Sequence, residues 1–323
     1  MTSPRTYSRD VPARVVVTQP LIGDAIDRLT DAGYDVTVVS AHGPPTPDQL
    51  CGSLSGAHGL VCLLSDVIDE DVLDCGPDLR VVSNVAVGVD NIDLDAARAH
   101  GIEVRNTPGV LDAATADLAM GLLVAVARGI VTGMDVIRRG EWHGFGLATG
   151  LGRDLAGMRL GLVGYGRIAR KVAVRATAFE MDVRHHARHR TGVPGYVAEL
   201  DELLESSDAV SLHVPLTGAT HGLLDARRLA LLPRGAIVIN TARGAVLDEQ
   251  ALIGALASGH LGGAGLDVFV DEPNVSASLL SARNVVVTPH IGSATTETRA
   301  AMATMAVDNV IEVLAGSAAP GRP

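Results

Sequence analysis

The sequence predicts an α/β protein made of two doubly wound, parallel-sheet domains, the second inserted into the first. Three observations carry that reading. Short β-branched runs alternate with amphipathic helical stretches almost from the start, the pattern of βαβ units. A long helical stretch from Asp112 interrupts the alternation, which resumes near Leu160. The length, 323 residues, suits two domains at ~100–200 residues each.

In the first domain, strands are expected at 14–18, 35–39, 59–64, 79–83 and 103–105, with helical stretches such as 24–32 and 94–100 between them. A long helix follows over 112–127, then another over 132–139 and a Gly-rich connection over 144–157. A second series of strands runs through 160–163, 181–185, 209–213, 236–240, 263–268 and 285–287. The last amphipathic stretch, 296–315, lies too far beyond the final strand to belong to the second sheet, so the chain is expected to return to the first domain. The expected division is residues 1–110 with 296–323, and residues 111–295, leaving a loose tail over 316–323.

Lys and Arg number 26 against 37 Asp and Glu, a net charge of −11 and the wrong sign for a nucleic-acid or anionic-membrane surface. Only 2% of residues are aromatic, which argues against base-stacking platforms. The longest apolar run, 118–127, is about half the ~20 residues a membrane span needs. Residues 1–10 are too polar for a signal peptide, and the expectation is a cytoplasmic protein. Cys51, Cys62 and Cys75 stand without a His cluster at zinc spacing and are expected as reduced, packed thiols.

Residues 158–169, Met-Arg-Leu-Gly-Leu-Val-Gly-Tyr-Gly-Arg-Ile-Ala, read as a strand entering a Gly-rich turn and then a helix over 168–177. A dinucleotide pyrophosphate needs this arrangement: backbone without side chains at Gly164 and Gly166 permits close approach, and the helix start at Arg167 and Ile168 supplies unpaired N–H groups. Ala169 stands at the third, tolerant position.

The next strand ends at the ~20-residue offset where a ribose-binding carboxylate is expected. Here Ala187, Arg188 and Arg190 stand instead, with His185, His186 and His189 nearby. Guanidinium binds phosphate in a bidentate, charge-assisted manner, so the pattern points to NADP(H), with NAD(H) possible and a solvated basic turn as the alternative. Strand–turn geometry scatters those histidines, and no metal is expected.

Three further segments place polar residues at strand ends: 240–244 (Asn-Thr-Ala-Arg-Gly), 266–273 (Leu-Asp-Val-Phe-Val-Asp-Glu-Pro) and 288–293 (Thr-Pro-His-Ile-Gly-Ser). Reduction of a 2-oxo acid needs a cation for carboxylate and carbonyl, a proton donor, and a group that keeps the donor protonated. Arg243, His290 and Glu272 have those chemistries in turn. Taken singly, a His after Pro reads as a packing or capping residue and a Glu before Pro as a loop charge. The combination carries the weight.

Together with residues 84–93 (Asn-Val-Ala-Val-Gly-Val-Asp-Asn-Ile-Asp), 106–117 (Asn-Thr-Pro-Gly-Val-Leu-Asp-Ala-Ala-Thr-Ala-Asp) and 211–217 (Ser-Leu-His-Val-Pro-Leu-Thr), these motifs resemble the D-isomer-specific 2-hydroxyacid dehydrogenases. The resemblance runs from about Leu79 to Gly292. It implies a Rossmann cofactor domain inserted in a flavodoxin-like substrate domain, with Arg243, Glu272 and His290 catalytic. The backbone at Val87 and Gly88 would bind the substrate carboxylate. Thr115 would lie near the nicotinamide, Asp267 would hydrogen-bond the carboxamide, and His213, Val214 and Pro215 would line the adenine side. Thr220 and Thr241 complete the expected cofactor set. The family also implies a homodimer through the cofactor domain, on the helix that 115–128 matches.

Within the family, Arg188 resembles the NADPH-dependent glyoxylate and hydroxypyruvate reductases. The expected activity is therefore reduction of small 2-oxo acids to D-2-hydroxy acids. Alternatives on the same scaffold are a dehydrogenase of another 2-hydroxy acid or of phosphite, or a non-catalytic, dinucleotide-sensing interaction protein. Departures are Ala169 and the loop 141–146, Glu-Trp-His-Gly-Phe-Gly.

Overall fold

The computed structural model describes residues 12–316. The chain divides into two units, the residues up to Val110 together with those from Thr295, and Leu111–Ala294. Residues 1–10 and the tail beyond 316, which the sequence reads as polar and loose, lie outside the described residues.

The first unit runs β1 (Arg14–Val17), α1 (Ala25–Asp31), β2 (Asp35–Val38), α2 (Pro47–Leu54), β3 (Ala57–Cys62), α3 (Glu70–Asp74), β4 (Val81–Asn84), α4 (Leu94–Ala99) and β5 (Glu103–Arg105). Its five parallel strands lie in the order β2-β1-β3-β4-β5, with a switch point between β1 and β3. Short helices start where side chains satisfy free N–H groups: Thr46 and Gln49 form a reciprocal box at α2, and Asp69 and Asp93 cap α3 and α4. The final helix, α12 (Thr296–Leu314), packs on β3 and β4, burying Met302, Ala306, Val307 and Val310.

The second unit opens with α5 (Asp112–Ala127) and α6 (Ile130–Arg138). It continues through β6 (Arg159–Val163), α7 (Arg167–Ala178), β7 (Asp182–His186), α8 (Leu200–Glu205), β8 (Ala209–Leu212) and α9 (Ala226–Leu231). It closes with β9 (Ala236–Asn240), α10 (Glu249–Ala257), β10 (Leu261–Leu266), α11 (Ala277–Leu280) and β11 (Val285–Val287). The six parallel strands take the order β11-β10-β9-β8-β6-β7. The chain leaves β6 to one side and returns to β8 on the other, so the C-terminal ends of β6 and β8 flank the crevice where such sheets bind ligands. One apolar layer, including Val163, Leu203, Leu212, Val238 and Leu252, covers one face; Leu123, Leu160, Leu162, Val172 and Ile237 form the other.

Strands β3 and β10 end two residues earlier than the sequence suggests. At Leu63 the backbone N–H turns to the Asp66 carboxylate at 2.7 Å, and beyond Leu266 the chain turns at Asp267. The cysteine expectation is also corrected: Cys51 of α2 and Cys75 at the end of α3 form a disulfide, Cα to Cα 5.2 Å, and only Cys62 is a free, buried thiol. The cause is tertiary, because α2 packs against α3 and brings together two residues 24 apart in the chain.

The helix expected to face a partner, α5, also packs within its own unit. On α5, Ala116, Ala119, Met120, Leu122, Leu123 and Val126 are buried within their own unit against α7, β9 and β10. No single helix among the described residues is long and apolar enough to cross a membrane, and the bent pair α5–α6 that passes by composition has this buried helix as its first half.

Candidate active site

The three catalytic candidates lie at strand ends of the second unit. Arg243 follows β9, and the Asn240 side chain shapes its turn: Oδ1 accepts from the Ala242 N–H at 3.0 Å, while Nδ2 donates to the Arg243 carbonyl at 2.9 Å. The next residue, Gly244, is held tightly against Phe269 and Val270, where a Cβ would overlap the backbone. Asn240 is thus a positioning residue to which the sequence reading gave no role. Its signal was an Asn at a strand end followed by a turn.

Glu272 and His290 meet directly. His290 Nδ1 lies 2.7 Å from Glu272 Oε2, and Glu272 Oε1 accepts from the Phe269 N–H at 2.9 Å. His290 has a left-handed backbone, φ 52°, uncommon for a residue with a side chain and characteristic of sites where the surroundings fix the conformation. Burial pushes the Glu272 carboxyl up, but hydrogen bonds from His290 and the Phe269 N–H, with the charges of His290 and Arg243, outweigh it, and the carboxyl lies below its ordinary value.

Asp267, only 1% exposed, anchors the segment that carries His290. Its Oδ1 accepts from Thr288 Oγ1 at 2.6 Å and the Ile291 N–H at 2.8 Å; its Oδ2 accepts from the Gly292 N–H at 2.7 Å. The His290 N–H donates to the Asp267 carbonyl at 2.9 Å. Burial raises the Asp267 pKa against the pull of these hydrogen bonds and of His290. Thr115, 5% exposed on α5, lies beside Gly292, where a Cβ would meet both it and Asp267.

The dinucleotide candidates cluster at the switch point. Gly164 has φ +92°, and a Cβ there would meet the His213 carbonyl oxygen at 2.5 Å, so a side chain at this turn is excluded twice. No side chain caps the N-terminus of α7 at Gly166, and a Cβ at Gly166 would meet open space. Those free N–H groups and the dipole of a twelve-residue helix suit a pyrophosphate. Arg167, mostly exposed, pairs with buried Asp112 at 3.3 Å, Ile168 is half-buried, and Ala169 is fully buried against the sheet.

Ala187 and Arg188 follow β7; Arg188 is exposed and makes no ion pair with any described residue. Burial lowers the His213 imidazole to about 4, leaving it neutral, and Ser211 Oγ lies 2.9 Å from its Nε2. Val214 and Pro215 continue that strand end. Thr220 Oγ1 donates to the Pro215 carbonyl at 2.5 Å and so braces the loop. The Thr241 hydroxyl is buried without a hydrogen-bond partner among the described residues. A glycine cradle, an uncapped helix start and an orphaned hydroxyl together fit a nicotinamide dinucleotide.

In the first unit, Asn84 Nδ2 donates to the Gly88 carbonyl at 2.9 Å and Asn106 Nδ2 to the Val87 carbonyl at 2.8 Å. The N–H groups of Val87 and Gly88 have no acceptor among the described residues. The loop is therefore fixed with two donors to offer, as a carboxylate site requires. Among the described residues no His, Cys, Asp and Glu cluster could hold a metal.

Residues 120–292 match the family described as D-isomer specific 2-hydroxyacid dehydrogenase, NAD binding domain. Over 316 residues the chain is 40% identical to a glyoxylate reductase of Thermococcus litoralis, covering 95% of each. A solved protein of Thermus thermophilus superposes with TM-score 0.91 and 48% identity, over 95% of this chain and 99% of that one. An NADPH-dependent glyoxylate/hydroxypyruvate reductase of Sinorhizobium meliloti, solved with NADP and malonate, gives TM-score 0.87 and 32% identity over 96% of both chains.

Proposed function

The chain belongs to the D-isomer specific 2-hydroxyacid dehydrogenases, an NAD(P)-dependent oxidoreductase, and from that premise we propose that it reduces glyoxylate and hydroxypyruvate to D-2-hydroxy acids with NADPH. The observation that carries the chemistry is the His290–Glu272 bond of 2.7 Å. A bound dinucleotide supplies the hydride to the carbonyl carbon. His290 gives its proton to the carbonyl oxygen, Glu272 holds the ring, and Arg243 neutralises the carboxylate and polarises the carbonyl. In the first unit, the N–H groups of Val87 and Gly88 are the proposed donors to a substrate carboxylate.

The coenzyme choice rests on Arg188, a guanidinium that makes no ion pair with any described residue and stands just after β7. A 2′-phosphate would find it free, with no carboxylate at Ala187 to repel it. Thr115, Asp267, Thr220 and Thr241 remain the proposed contacts of the nicotinamide and ribose portions. A homodimer through this unit would use α6 and the segment after it in place of α5, because the exposed apolar side chains there include Ile130, Ile137, Trp142, Phe145 and Leu147.

NADPH oxidation measured with glyoxylate, hydroxypyruvate, pyruvate and phenylpyruvate tests the reading. Higher kcat/KM for the first two supports it. A phenylpyruvate value at or above that of glyoxylate overturns the substrate assignment, and equal use of NADH overturns the coenzyme assignment.

A further inference from the structure

The segment that follows β7 is tied back onto its own strand around one buried side chain, His185, which is 1% exposed. Its ring stacks on Tyr165, the residue between Gly164 and Gly166, with centroids 3.6 Å apart and planes at 18°. On its edge, Nε2 shares a 2.7 Å hydrogen bond with Thr191 Oγ1, and that hydroxyl also accepts from the Val193 N–H at 3.3 Å. The backbone repeats the connection: the His185 N–H donates to the Gly195 carbonyl and its carbonyl accepts from the Val197 N–H, each at 2.8 Å. Arg188 lies inside the segment so closed, between His185 and Thr191.

One imidazole therefore touches the glycine turn at one face and the basic segment at its edge. A dinucleotide 2′-phosphate and its pyrophosphate are fixed distances apart, so a site that reads both must hold its two recognition loops in register. Burial, with the charges of Arg170 and His186 beside it, lowers the His185 pKa, which favours the neutral, stacking form. The Arg170 guanidinium lies over the Tyr165 ring, 5.7 Å from its centroid. Nothing in the hydride-transfer chemistry uses His185 or Thr191.

We propose that His185, stacked on Tyr165 and bonded to Thr191, is a positioning residue that holds the Arg188 segment in register with the glycine turn and thereby sets the preference for a 2′-phosphorylated dinucleotide. The proposal rests on the reading that Arg188 meets the 2′-phosphate. It makes the preference a property of a braced loop, beyond the presence of one arginine.

The test is steady-state kinetics with NADPH and NADH on Thr191→Val, which keeps shape and removes the hydrogen bond, and on Thr191→Ser, which keeps the bond. Thr191→Val should raise the KM for NADPH about 3–10-fold, the worth of one hydrogen bond, with kcat and the KM for NADH unchanged, and Thr191→Ser should restore the wild-type value. Arg188→Ala separates the two levels. If it fails to weaken NADPH selectively, the underlying coenzyme reading falls. If it weakens NADPH selectively while Thr191→Val does not, or if Thr191→Val impairs both coenzymes equally, the positioning role is overturned. In the Arg188→Ala background Thr191→Val should add no further loss; an additive loss also overturns it, because the brace would then act independently of Arg188.

Discussion

The Nδ1 atom of His290 is held 2.7 Å from Oε2 of Glu272, a residue eighteen positions earlier on the loop after β10. The other carboxylate oxygen is fixed by the Phe269 N–H, so the ring is aimed by a carboxylate that is itself anchored. Nε2 is the ring nitrogen left to serve a substrate oxygen. His290→Ala should lower turnover ~10²–10⁴-fold, the usual worth of a positioned acid–base group, while dinucleotide binding, followed by fluorescence titration, is retained.

Glu272→Gln removes the carboxylate charge that holds the His290 ring and should lower kcat while coenzyme binding is retained. The same pairing affects stability. The Glu272 carboxyl is held below its ordinary value in the folded chain, so its contribution is present above the unfolded value, ~4.3, and is lost as pH falls through the folded one. The difference in Tm between wild type and Glu272→Gln should be larger at pH 7 than in strong acid. A kcat unchanged by Glu272→Gln would dismiss the pairing.

Coenzyme choice is tested at Arg188. Its side chain is exposed and makes no ion pair with any described residue, so its removal should leave the fold intact. Arg188→Ala should weaken NADPH by ~1.5–3 kcal/mol, the scale of a hydrogen bond to a charged group, and leave NADH nearly unchanged. The readout is the ratio of KM values for the two coenzymes.

Period and motif made the two parallel sheets and the glycine turn legible, because strand and helix repeats and a side-chain-free turn are local properties of the chain. His290, Glu272 and their pairing could be named from chemistry, but what builds the contact could not, since the left-handed backbone of His290 and the Asp267 anchor behind it are products of the tertiary fold. Asn84, Asn106 and Asn240 escaped a role because a side chain that bonds to backbone leaves no pattern in the residues around it. The apolar stretch of α5 was legible as apolar. What covers it, the helix and strands of its own unit, was a matter of topology.

Asp267 carries a prediction that separates structure from coenzyme contact. Both of its oxygens are occupied by the segment bearing His290, through Thr288, Ile291 and Gly292. Replacing one oxygen by an amide NH₂ in Asp267→Asn sets a donor against an N–H donor in a buried place, which costs ~1–3 kcal/mol, and at roughly 2–4 °C per kcal/mol for a domain of this size should lower the Tm without coenzyme. The kcat should fall as well, because the ring loses its anchor. A raised KM for the coenzyme with an unchanged Tm would instead limit Asp267 to contact with the nicotinamide.

The last prediction concerns the thiols. Cys51 and Cys75 are joined across α2 and α3, and Cys62 is free but buried, with Sγ donating to Asn84 Oδ1 at 3.5 Å and burial raising its pKa. A thiol reagent added to the native, unreduced protein should therefore react slowly or not at all, because the one free sulfur is out of reach and its thiolate disfavoured. After unfolding without reductant a single thiol should appear, and after reduction three. The link closes a loop of 24 residues, and loops of that length restrain the unfolded chain by ~2–4 kcal/mol. Cys51→Ser should lower the Tm measured without reductant, and an excess of reductant should bring wild type down to the same value. Three reactive thiols in the unfolded, unreduced protein would mean that these cysteines are reduced neighbours, and the stabilisation of α2 against α3 would then have to come from packing alone.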